Sequence, residues 1–571
     1  MMNSLLPRRI HLLYILITLL TLSSLCGESG AMLGRRDGTL ERLYLQTIRQ
    51  GKIPPTTVQS ISKAEARFYG LLSPEDIDYT DDTDDTATWH GSFSVQPFMV
   101  GWSGLDPEPW DEGYQRKLAD FPLANRLTLN DPLLAAGLSF GSGSFFAEAS
   151  IDFSTDSLLR SVEEDGILGF WQPGEYFSWW IFPKVAYAAW SGNHVTIAAG
   201  RFPTGIGLGK ANLFLNGQAF WYDHLQFSWW SEKMRFFSLW GTSSPHLNEQ
   251  EYEVQTNFDP GNTGENFLGW DINDNHDYSS GISSALKMFT YHRVEFKPFR
   301  WLGFALSEMQ MVGGKTPDFS NLMPLMIWHN TYSSGTTNVM SMADVWAVPL
   351  PGLLVYGEFI MDDSRAPSES KTSKPNCWGW EAGATAVLPI APKDWTISVN
   401  LEYSHVDEWT YARWQPYLTM TQRQILTGGH RGLDIPLGHP EGNDVTQLGL
   451  SVTALGRDEH RIEFGYTWIT KGPLYLGRIE EVTRDGETYQ VPVYYDFDDW
   501  AGTGELNRIT GSTKKYSHVF NLRCVWPVWK NTTVDAEIDY LVIQNYAHRE
   551  GNTRHQTVIK TGIQWKYDRN R

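Results

Sequence analysis

An alternation of apolar and polar side chains with a period of two recurs along most of this chain. The stretch WTISVNLEYS illustrates it, because every second side chain is apolar and those between are polar. Its apolar face carries Trp395, Ile397, Val399, Leu401 and Tyr403. This period is typical of a β-strand with one apolar and one polar face. The chain is therefore predicted to be all-β over most of its length.

The number of such segments and the connections between them predict a closed barrel. We count about 18 segments, whose connections alternate between short turns, such as SGN and PVWK, and long loops. Short turns at one end, long loops at the other and an even strand number are the plan of an antiparallel transmembrane outer-membrane β-barrel. Closure satisfies every backbone hydrogen bond in lipid, which an open sheet cannot do. The predicted strands are 89–102, 133–140, 143–153, 181–190, 194–202, 219–229, 232–240, 286–297, 300–311, 338–348, 353–362, 378–389, 394–405, 445–455, 460–469, 515–526, 531–543 and 556–567.

Composition fits a protein that meets both lipid and water. Aromatic residues make up 14 % of the chain, with 25 Trp and 25 Tyr, and such side chains suit the boundary between lipid and water. Outer-membrane lipid is therefore an expected partner. The net charge of −20 argues against nucleic acid, because phosphates would not be neutralised.

The chain divides into three parts. Residues 1–31 have the layout of a secretory signal peptide, with Arg8 and Arg9 before an apolar run. Residues 32–88 are predicted to hold two short amphipathic helices, the second following a cap at Ser60 or Ser62, and then an acidic linker. Residues 89–571 form the predicted barrel with its long external loops. The only cysteines after the signal, Cys377 and Cys524, are too few for a disulfide framework. A single disulfide between these two is left as an alternative.

We looked for catalytic and metal-binding patterns along the chain. The sequence GLSFG, residues 137–141, ends a predicted strand and runs into a turn instead of forming a nucleophile elbow. DINDNHD, residues 271–277, lacks the glycine and the last acidic residue of a calcium loop, so a hydrated external loop is favoured. No histidine pair has zinc-ligand spacing. No catalytic residue, metal or cofactor is predicted, and the protein is expected not to be an enzyme.

Charges on the predicted inward face carry both signs. This mixture favours cross-strand ion pairs in a wide lumen over a pore selective for one sign of charge. One residue departs from the pattern of the outward face: Glu308 shares its parity with Leu302, Phe304 and Leu306. We expect Glu308 to lie above the apolar band or to follow a β-bulge.

The last predicted strand resembles an assembly signal. KTGIQWKY places Lys560, Gly562, Trp565 and Tyr567 in the order polar-x-Gly-x-x-aromatic-x-aromatic. This order is similar to the C-terminal signal by which the bacterial barrel-assembly machinery recognises its clients. Four further residues, DRNR, follow the final aromatic. The resemblance implies the assembly machinery as a partner.

Five motifs in order resemble the capsule-assembly Wzi family of outer-membrane proteins. They include YHRVEFKPF, a strand ending Ser-Glu, NLMPLMIWHN, and an Asn-to-Asp strand followed by PGLLVYGEFIMDD. The resemblance implies an 18-stranded barrel in the bacterial outer membrane, helices on the periplasmic side, and a lectin-like role in holding capsular or surface polysaccharide. An outer-membrane channel or transporter for small solutes is the alternative function. The family-motif residues are His292, Arg293, Glu295, Glu308, Asp344 and Glu358.

The stretch GGHRGLDIPLGHPEGND, residues 428–444, resembles a loop of the same family. It has no period, and its glycines and prolines allow the backbone to fold over the barrel mouth. The same loop contains DEWTYARWQPY, whose aromatic side chains either stack on sugar rings or form a girdle at the lipid boundary. The predicted glycan-binding residues are Trp409, Tyr411, Trp414, Tyr417, His430, Arg431, His439, Glu441 and Asp444.

Overall fold

The protein is an antiparallel β-barrel whose strands follow one another around the ring in chain order. In the computed structural model, the last strand pairs with the first, Trp565 opposite Val95, and this pairing closes the ring. The structure describes residues 30–34, 38–72, 88–104, 115–117, 133–155, 166–169, 177–178, 183, 185–217, 219, 221–245, 247, 250–251, 286–314, 316–330, 337–364, 376–389, 395–413, 415–426, 431–456, 460–477, 479–484, 487–492 and 513–570.

The closed ring contains 18 strands within this described part of the chain, and the strand count made from the sequence is confirmed. Each predicted segment overlaps one of them. The strands are β1 Thr88–Val95, β2 Leu134–Ser142, β3 Phe145–Thr155, β4 Val185–Ser191, β5 Val195–Phe202, β6 Tyr222–Trp230, β7 Met234–Thr242, β8 Lys287–Phe299, β9 Leu302–Gly313, β10 Thr337–Leu350, β11 Leu353–Asp363, β12 Cys377–Val387, β13 Thr396–Val406, β14 Val445–Leu455, β15 Arg461–Lys471, β16 Lys515–Trp529, β17 Thr532–Gln544 and β18 Thr553–Asn570.

The first strand is interrupted at Gln96 and Pro97. After this break it continues as Phe98–Ser103, which stays in register with β18 but pairs on its other side with the short strand Gly166–Gly169. Proline has no N–H to donate to a neighbouring strand, so it is tolerated where the ladder changes partner. The neighbour of the first strand therefore changes from β2 to a piece of the external loop between β3 and β4.

The two faces of the ring differ as the period of two predicts. On β17 the side chains of Ile538 and Tyr540 are exposed on the outward face, whereas Asp539 and Leu541 are buried on the inward face. Large apolar side chains are exposed on the outer wall, which is the face that lipid covers in a membrane. The short turns lie at one end of the barrel, the periplasmic end, and the long loops lie at the other.

Two helices precede the barrel, as the sequence predicts. Helix α1, Thr39–Arg49, buries Leu40, Leu43 and Ile48. Helix α2, Lys63–Phe68, begins after Ser62, whose hydroxyl accepts a hydrogen bond from the backbone N–H of Glu65 at 3.1 Å. The structure thus selects Ser62 over Ser60 as the cap.

The remaining elements are short. Met32–Gly34 pairs with Ser60–Ser62, Thr421–Leu426 pairs with Arg431–Pro436 and Gln115–Lys117 extends that pair, and Ile479–Arg484 pairs with Glu487–Pro492. Phe177–Ser178 pairs with the end of β3. A third helix, α3, spans Phe319–Leu322, and single 3-10 turns span Trp328–Asn330 and Tyr546–His548.

Among the described residues, none of the helices is long and apolar enough to cross a membrane. Cys377 and Cys524 are both free thiols, so the disulfide left open by the sequence does not form. The predicted signal peptide up to residue 29 and the acidic linker at 73–87 lie outside the described residues.

Candidate functional site

The two N-terminal helices lie against the periplasmic end of the barrel. The backbone N–H of Gly352, in a short turn, donates to the carbonyl of Ile48 at the end of α1 at 2.9 Å. Ile53 donates to the carbonyl of Arg300 in the neighbouring turn, also at 2.9 Å. Glu41 forms an ion pair of 2.7 Å with Arg461 at the start of β15. The helices therefore close the mouth that faces the periplasm.

From there a column of backbone hydrogen bonds rises through the lumen. Val58 bridges to Ile206, which bridges in turn to Leu215. Residues 203–217, between β5 and β6, thus lie inside the barrel and carry the pairing of the N-terminal segment upward. Val58, Ile206 and Leu215 are fully buried.

The same column continues into the external loop 407–444, which we call the lid. The N–H of Asn216 donates to the carbonyl of Leu437, and Leu437 donates to Met420 at 3.0 Å. Met420 donates to Tyr411 at 2.9 Å, and the Tyr411 hydroxyl returns to the carbonyl of Leu213 at 2.6 Å. The lumen is therefore filled along the path from the periplasmic helices to the lid.

Four of the family-motif residues hold this filling to the barrel wall. Arg293 contacts Asp344 through two bonds of 2.7 Å and Glu295 through a third of 2.7 Å. The same guanidinium donates to the hydroxyl of Thr57 at 2.7 Å, and Glu295 accepts from the hydroxyl of Thr56 at 2.8 Å. These charges are buried, and burial is tolerated because each ion is paired and hydrogen-bonded.

The fourth of these residues, Glu358, lies by a glycine loop in the lumen. A Cβ atom at Gly207 would lie 2.6 Å from a carboxylate oxygen of Glu358, so only glycine permits this approach. Nearby, a Cβ at Gly209 would lie 1.8 Å from a carboxylate oxygen of Glu381. Glu402 accepts from the backbone N–H of Lys210 at 2.7 Å. The inward carboxylates thus bind the lumen segment rather than line an open passage.

A second buried ion pair fastens α2. Arg235 on β7 contacts Glu65 at 2.7 Å, and both side chains are essentially inaccessible to solvent. Lys297 donates to the carbonyl of Pro55 at 3.0 Å and to the hydroxyl of Tyr69 at 2.7 Å. Burial raises the pKa of the Tyr69 hydroxyl above its usual value, so it stays neutral.

His292 and Glu308 lie on the outer wall instead of the lumen. Their side chains approach within 3.4 Å, and Glu308 accepts from the backbone N–H of Trp328 at 2.9 Å. The pairing of β9 with both neighbours is regular at Glu308, so the β-bulge offered as one explanation is wrong. A loop segment that folds down over the wall covers this carboxylate.

The predicted sugar-stacking residues of the lid need correction. Trp409, Tyr411 and Tyr417 are 3 %, 0 % and 6 % exposed, so no sugar ring can stack on them while the lid is closed. The sequence motif shows aromatic residues in a loop, but it carries no period that distinguishes buried rings from exposed ones. The three rings pack into the barrel interior and hold the lid.

Among the predicted polar ligands of the glycan, two are buried and one is partly exposed. His439 is fully buried, with its ring between the Ser404 hydroxyl and the backbone N–H of Glu441, and burial lowers its pKa to about 3. Asp444 is buried and accepts from the N–H of Leu474 at 3.3 Å. Glu441 is half-buried and Arg431 begins a short strand, while Trp414 and His430 lie outside the described residues.

A partly exposed group at the external end of the barrel adds Glu408, Tyr475 and Lys514 to the predicted ligand Glu441. We call Glu408, Glu441, Tyr475 and Lys514 the mouth surface, because all four are partly or fully exposed at the external end. Asp444 lies near three of them. It accepts from the backbone N–H of Leu474, beside Tyr475. Burial and the charge of Asp444 raise the pKa of Glu408, and Lys514 acts on this pKa in the opposite direction. Leu474 and Leu476 are buried on either side of Tyr475, whereas Tyr475 itself is partly exposed. This local alternation is the signal that was missed.

No group of three or more His, Cys, Asp or Glu side chains is arranged to hold a metal ion within the part of the chain that the structure describes.

An 18-stranded ring with lipid-facing apolar side chains, short turns at one end and a filled lumen defines an outer-membrane β-barrel. The family model described as capsule assembly protein Wzi matches residues 275–558. This match confirms the resemblance to the Wzi family that the motifs carry. No curated protein matches the sequence.

Solved structures match this chain at low sequence identity. Wzi of Escherichia coli is described as an outer membrane protein involved in group 1 capsule assembly and as a carbohydrate-binding β-barrel. It is 12 % identical, covers 94 % of this chain and 99 % of its own, and superposes with a TM-score of 0.50. Pseudomonas aeruginosa OccD3 is 9 % identical, with 85 % and 92 % covered and a TM-score of 0.38. Acinetobacter baumannii OccAB4 is 8 % identical, with 84 % and 98 % covered and a TM-score of 0.37.

Proposed function

We propose that this protein binds capsular or surface polysaccharide at the external end of the barrel and holds it on the cell. The observation that carries the proposal is the column from Val58 to Tyr411, which fixes the lid over a filled lumen. A rigid external surface of this kind is suited to recognition, because its side chains are ordered before a ligand arrives. The match to a capsule-assembly family and the fold shared with a carbohydrate-binding barrel support the same function.

At the external end of the barrel, we assign contact with the glycan to the mouth surface. The carboxylates of Glu408 and Glu441 can accept hydrogen bonds from sugar hydroxyls, and Lys514 can pair with an acidic sugar. Tyr475 offers a ring on which an apolar sugar face can pack. Trp414, His430 and Arg431 remain candidates from the sequence. Trp409, Tyr411, Tyr417, His439 and Asp444 serve in this proposal as the scaffold that shapes the surface.

We infer binding without catalysis. A hydrolase acting on glycosides needs a pair of carboxyl groups with access to the substrate. The inward carboxylates instead have partners within the protein: Glu402 accepts two backbone N–H groups, and Glu295 and Asp344 are held by Arg293. These contacts support a structural role for them.

Lipid and the barrel-assembly machinery complete the proposed partners. Trp565 and Tyr567 are 43 % and 46 % exposed on the outer wall of β18, where they suit the lipid boundary. Gly562 is buried on the inward face of the same strand. We propose that these three residues form the signal that the assembly machinery recognises before the strand closes the ring.

The double variant Glu441→Ala with Tyr475→Ala tests the glycan site. The probe is capsular polysaccharide purified from the strain that encodes the protein, and its affinity is measured on the detergent-solubilised barrel. We expect affinity to fall about tenfold or more, since ring packing and a hydrogen bond together contribute on the order of 1.4 kcal/mol or more. On cells, the retained polysaccharide should fall at an equal amount of folded protein.

A matched control removes charges at the same end of the barrel but away from the lid. Arg549→Ala with Glu550→Ala changes two exposed residues on the turn between β17 and β18, and should leave affinity and retention unchanged. Both variants should keep the gel shift between heated and unheated samples that marks a folded barrel. Unchanged affinity of the first variant would place the glycan elsewhere on the external end, whereas the absence of any binding by the wild-type protein would refute the function.

A further inference from the structure

The outer wall of the barrel has a polar patch where lipid contact is expected. Towards the external end of β7 to β10, four residues that are paired across adjacent strands form one rung with outward side chains. They are Ser238, His292, Glu308 and Ser341. Gln310 lies two residues further along β9. A carboxylate and an imidazole left bare in lipid would be costly. We call these five residues the wall patch.

This patch interrupts an apolar surface. Just before it, towards the periplasmic end, Phe304, Leu306 and Val345 are 41 %, 60 % and 48 % exposed on the outer wall. On the same rung as the patch, Met361 and Trp378 continue the apolar surface on β11 and β12. The strands β8 to β10 therefore need something other than lipid to cover the polar rung.

Residues 316–330, which we call the wall segment, supply this cover. The Trp328 N–H donates to Glu308 at 2.9 Å, and the Trp328 ring lies 4.3 Å from the ring of His292. Asn321 donates to the side-chain oxygen of Gln310 at 3.3 Å. These contacts turn polar groups of the segment towards the barrel.

Two more contacts fix the ends of α3 within the segment. The indole N–H of Trp240 on β7 donates to the carbonyl of Leu322 at 2.9 Å. Asp318 and Asn321 form a capping box at the start of α3, which satisfies backbone groups that would otherwise face away from the wall. The segment can therefore meet an apolar medium without leaving these backbone groups bare.

The opposite side of the wall segment is apolar. Phe319, Leu325 and Ile327 are 74 %, 80 % and 62 % exposed, whereas Trp328 is 1 % exposed. Asp318 and His329 are the only acidic or basic residues between Thr316 and Asn330. A soluble loop would place these side chains the other way round. Large exposed apolar groups on an ordered segment indicate an apolar partner.

We propose that the wall segment is inserted into the outer leaflet of the membrane, with Phe319, Leu325 and Ile327 among the lipid acyl chains. Lipid is the neighbour that we infer, because these side chains extend the lipid-facing surface of Phe304 and Leu306 over the wall patch. An interfacial segment with one apolar face and one satisfied polar face has the properties of such an insertion. The segment is thus a membrane contact of this protein additional to its strands.

The test places a fluorescent probe on the segment of the full-length protein. In a background with Cys26→Ser and Cys524→Ser, where the remaining Cys377 is fully buried, Leu325→Cys is labelled with a nitrobenzoxadiazole probe and reconstituted into phosphatidylcholine vesicles. Ile559→Cys, on the lipid-facing wall of β18, is the lipid control, and Glu550→Cys on an external turn is the water control. Each variant is checked for the gel shift of a folded barrel.

We expect the Leu325 probe to emit at shorter wavelength than the Glu550 probe and to be quenched by lipid carrying a spin label near the head of its acyl chain. Ile559 should be quenched by labels deeper in the chain. Quenching of the Leu325 probe by aqueous iodide as strong as that of the Glu550 probe would overturn the proposal. Disulfide crosslinking of unlabelled Leu325→Cys between two copies, together with no lipid quenching, would assign the face to a second copy and overturn it equally.

Discussion

Arg293 on β8 and Asp344 on β10 meet across β9 inside the barrel through two guanidinium–carboxylate bonds of 2.7 Å. The strand between them supplies Ser307, whose hydroxyl accepts from Arg293 at 3.0 Å. Because Arg293 also donates to Thr57, the pair joins the wall to the N-terminal segment. The pair therefore links three neighbouring strands of the wall to the segment that fills the lumen.

Asp344→Asn should destabilise the barrel strongly. The change leaves a buried guanidinium with reduced charge compensation, and breaking a buried ion pair costs about 3–5 kcal/mol. The measurement is gel electrophoresis of samples heated to increasing temperatures. We expect the band of the folded barrel to be replaced by that of the unfolded chain at a clearly lower temperature than in the wild type. Asp535→Asn is the control: its partner Arg523 has a side chain 39 % exposed, so the loss should be about 1 kcal/mol or less. Equal decreases in this temperature for the two variants would mean that the ion pair of Arg293 and Asp344 does not hold the filling of the lumen.

The inward and outward faces can be tested on adjacent residues of β17. Ile538→Arg puts a charge on the lipid-facing wall, where Ile538 is 39 % exposed beside Leu522 and Ile559, and should cost about 2–4 kcal/mol near the bilayer midplane. Glu537→Gln should cost far less, because the amide oxygen can still accept the 3.0 Å bond from Asn521. The measurement is urea unfolding in lipid vesicles. Similar losses for the two variants would reverse the assignment of faces.

Much of the barrel follows from the period of two, because lipid and lumen impose opposite chemistry on alternating residues. Strand number and strand positions were predictable on this basis, and the helical spacing of apolar residues predicted the two helices. The parity of Glu308 even revealed a departure on the outer wall, although the covering segment that explains it has no period. The sequence indicated no such alternation for residues 203–217.

The filling of the lumen could not be predicted because backbone contacts create it. Val58 comes from the N-terminal segment and Ile206 and Leu215 come from residues 203–217, and only the folded ring brings these two segments into one ladder. For the same reason Trp409 and Tyr411 were assigned to the surface. In a loop that enters a barrel, the burial of an aromatic ring depends on where its residue lies in the folded structure. A motif without a period does not encode that position.

The filled lumen predicts that the wild-type protein gives no steady open current in planar bilayers, contrary to the channel alternative. Gly205→Val should loosen the filling, because a Cβ there would lie 2.5 Å from Cα of Gly217, which is backbone and cannot rotate away. We expect this variant to show intermittent current and lower heat resistance. Gly449→Val is the control, since a Cβ at this glycine of β14 meets no heavy atom within 4 Å. Stable wild-type currents would contradict the closed lumen.

The lid should open more readily in acid because of His439. Burial lowers its pKa from 6.5 to about 3, so between these values the open lid binds a proton that the closed lid does not. The closed lid is therefore fully stable above pH 6.5 and loses stability as the pH falls towards 3. At pH 5 the loss is about 2 kcal/mol, or about 30-fold in the opening equilibrium.

Hydrogen exchange measures this opening at the backbone N–H groups of Met420 and Leu437, which belong to the column. Protection, corrected for the intrinsic exchange rate, should fall about 30-fold between pH 7.5 and pH 5. His439→Gln removes the titrating ring and should abolish this pH dependence, even where it lowers protection at both pH values. His555→Gln, at an exposed position on β18, should leave the dependence intact. If the His439 variant keeps the wild-type slope, another group controls the lid.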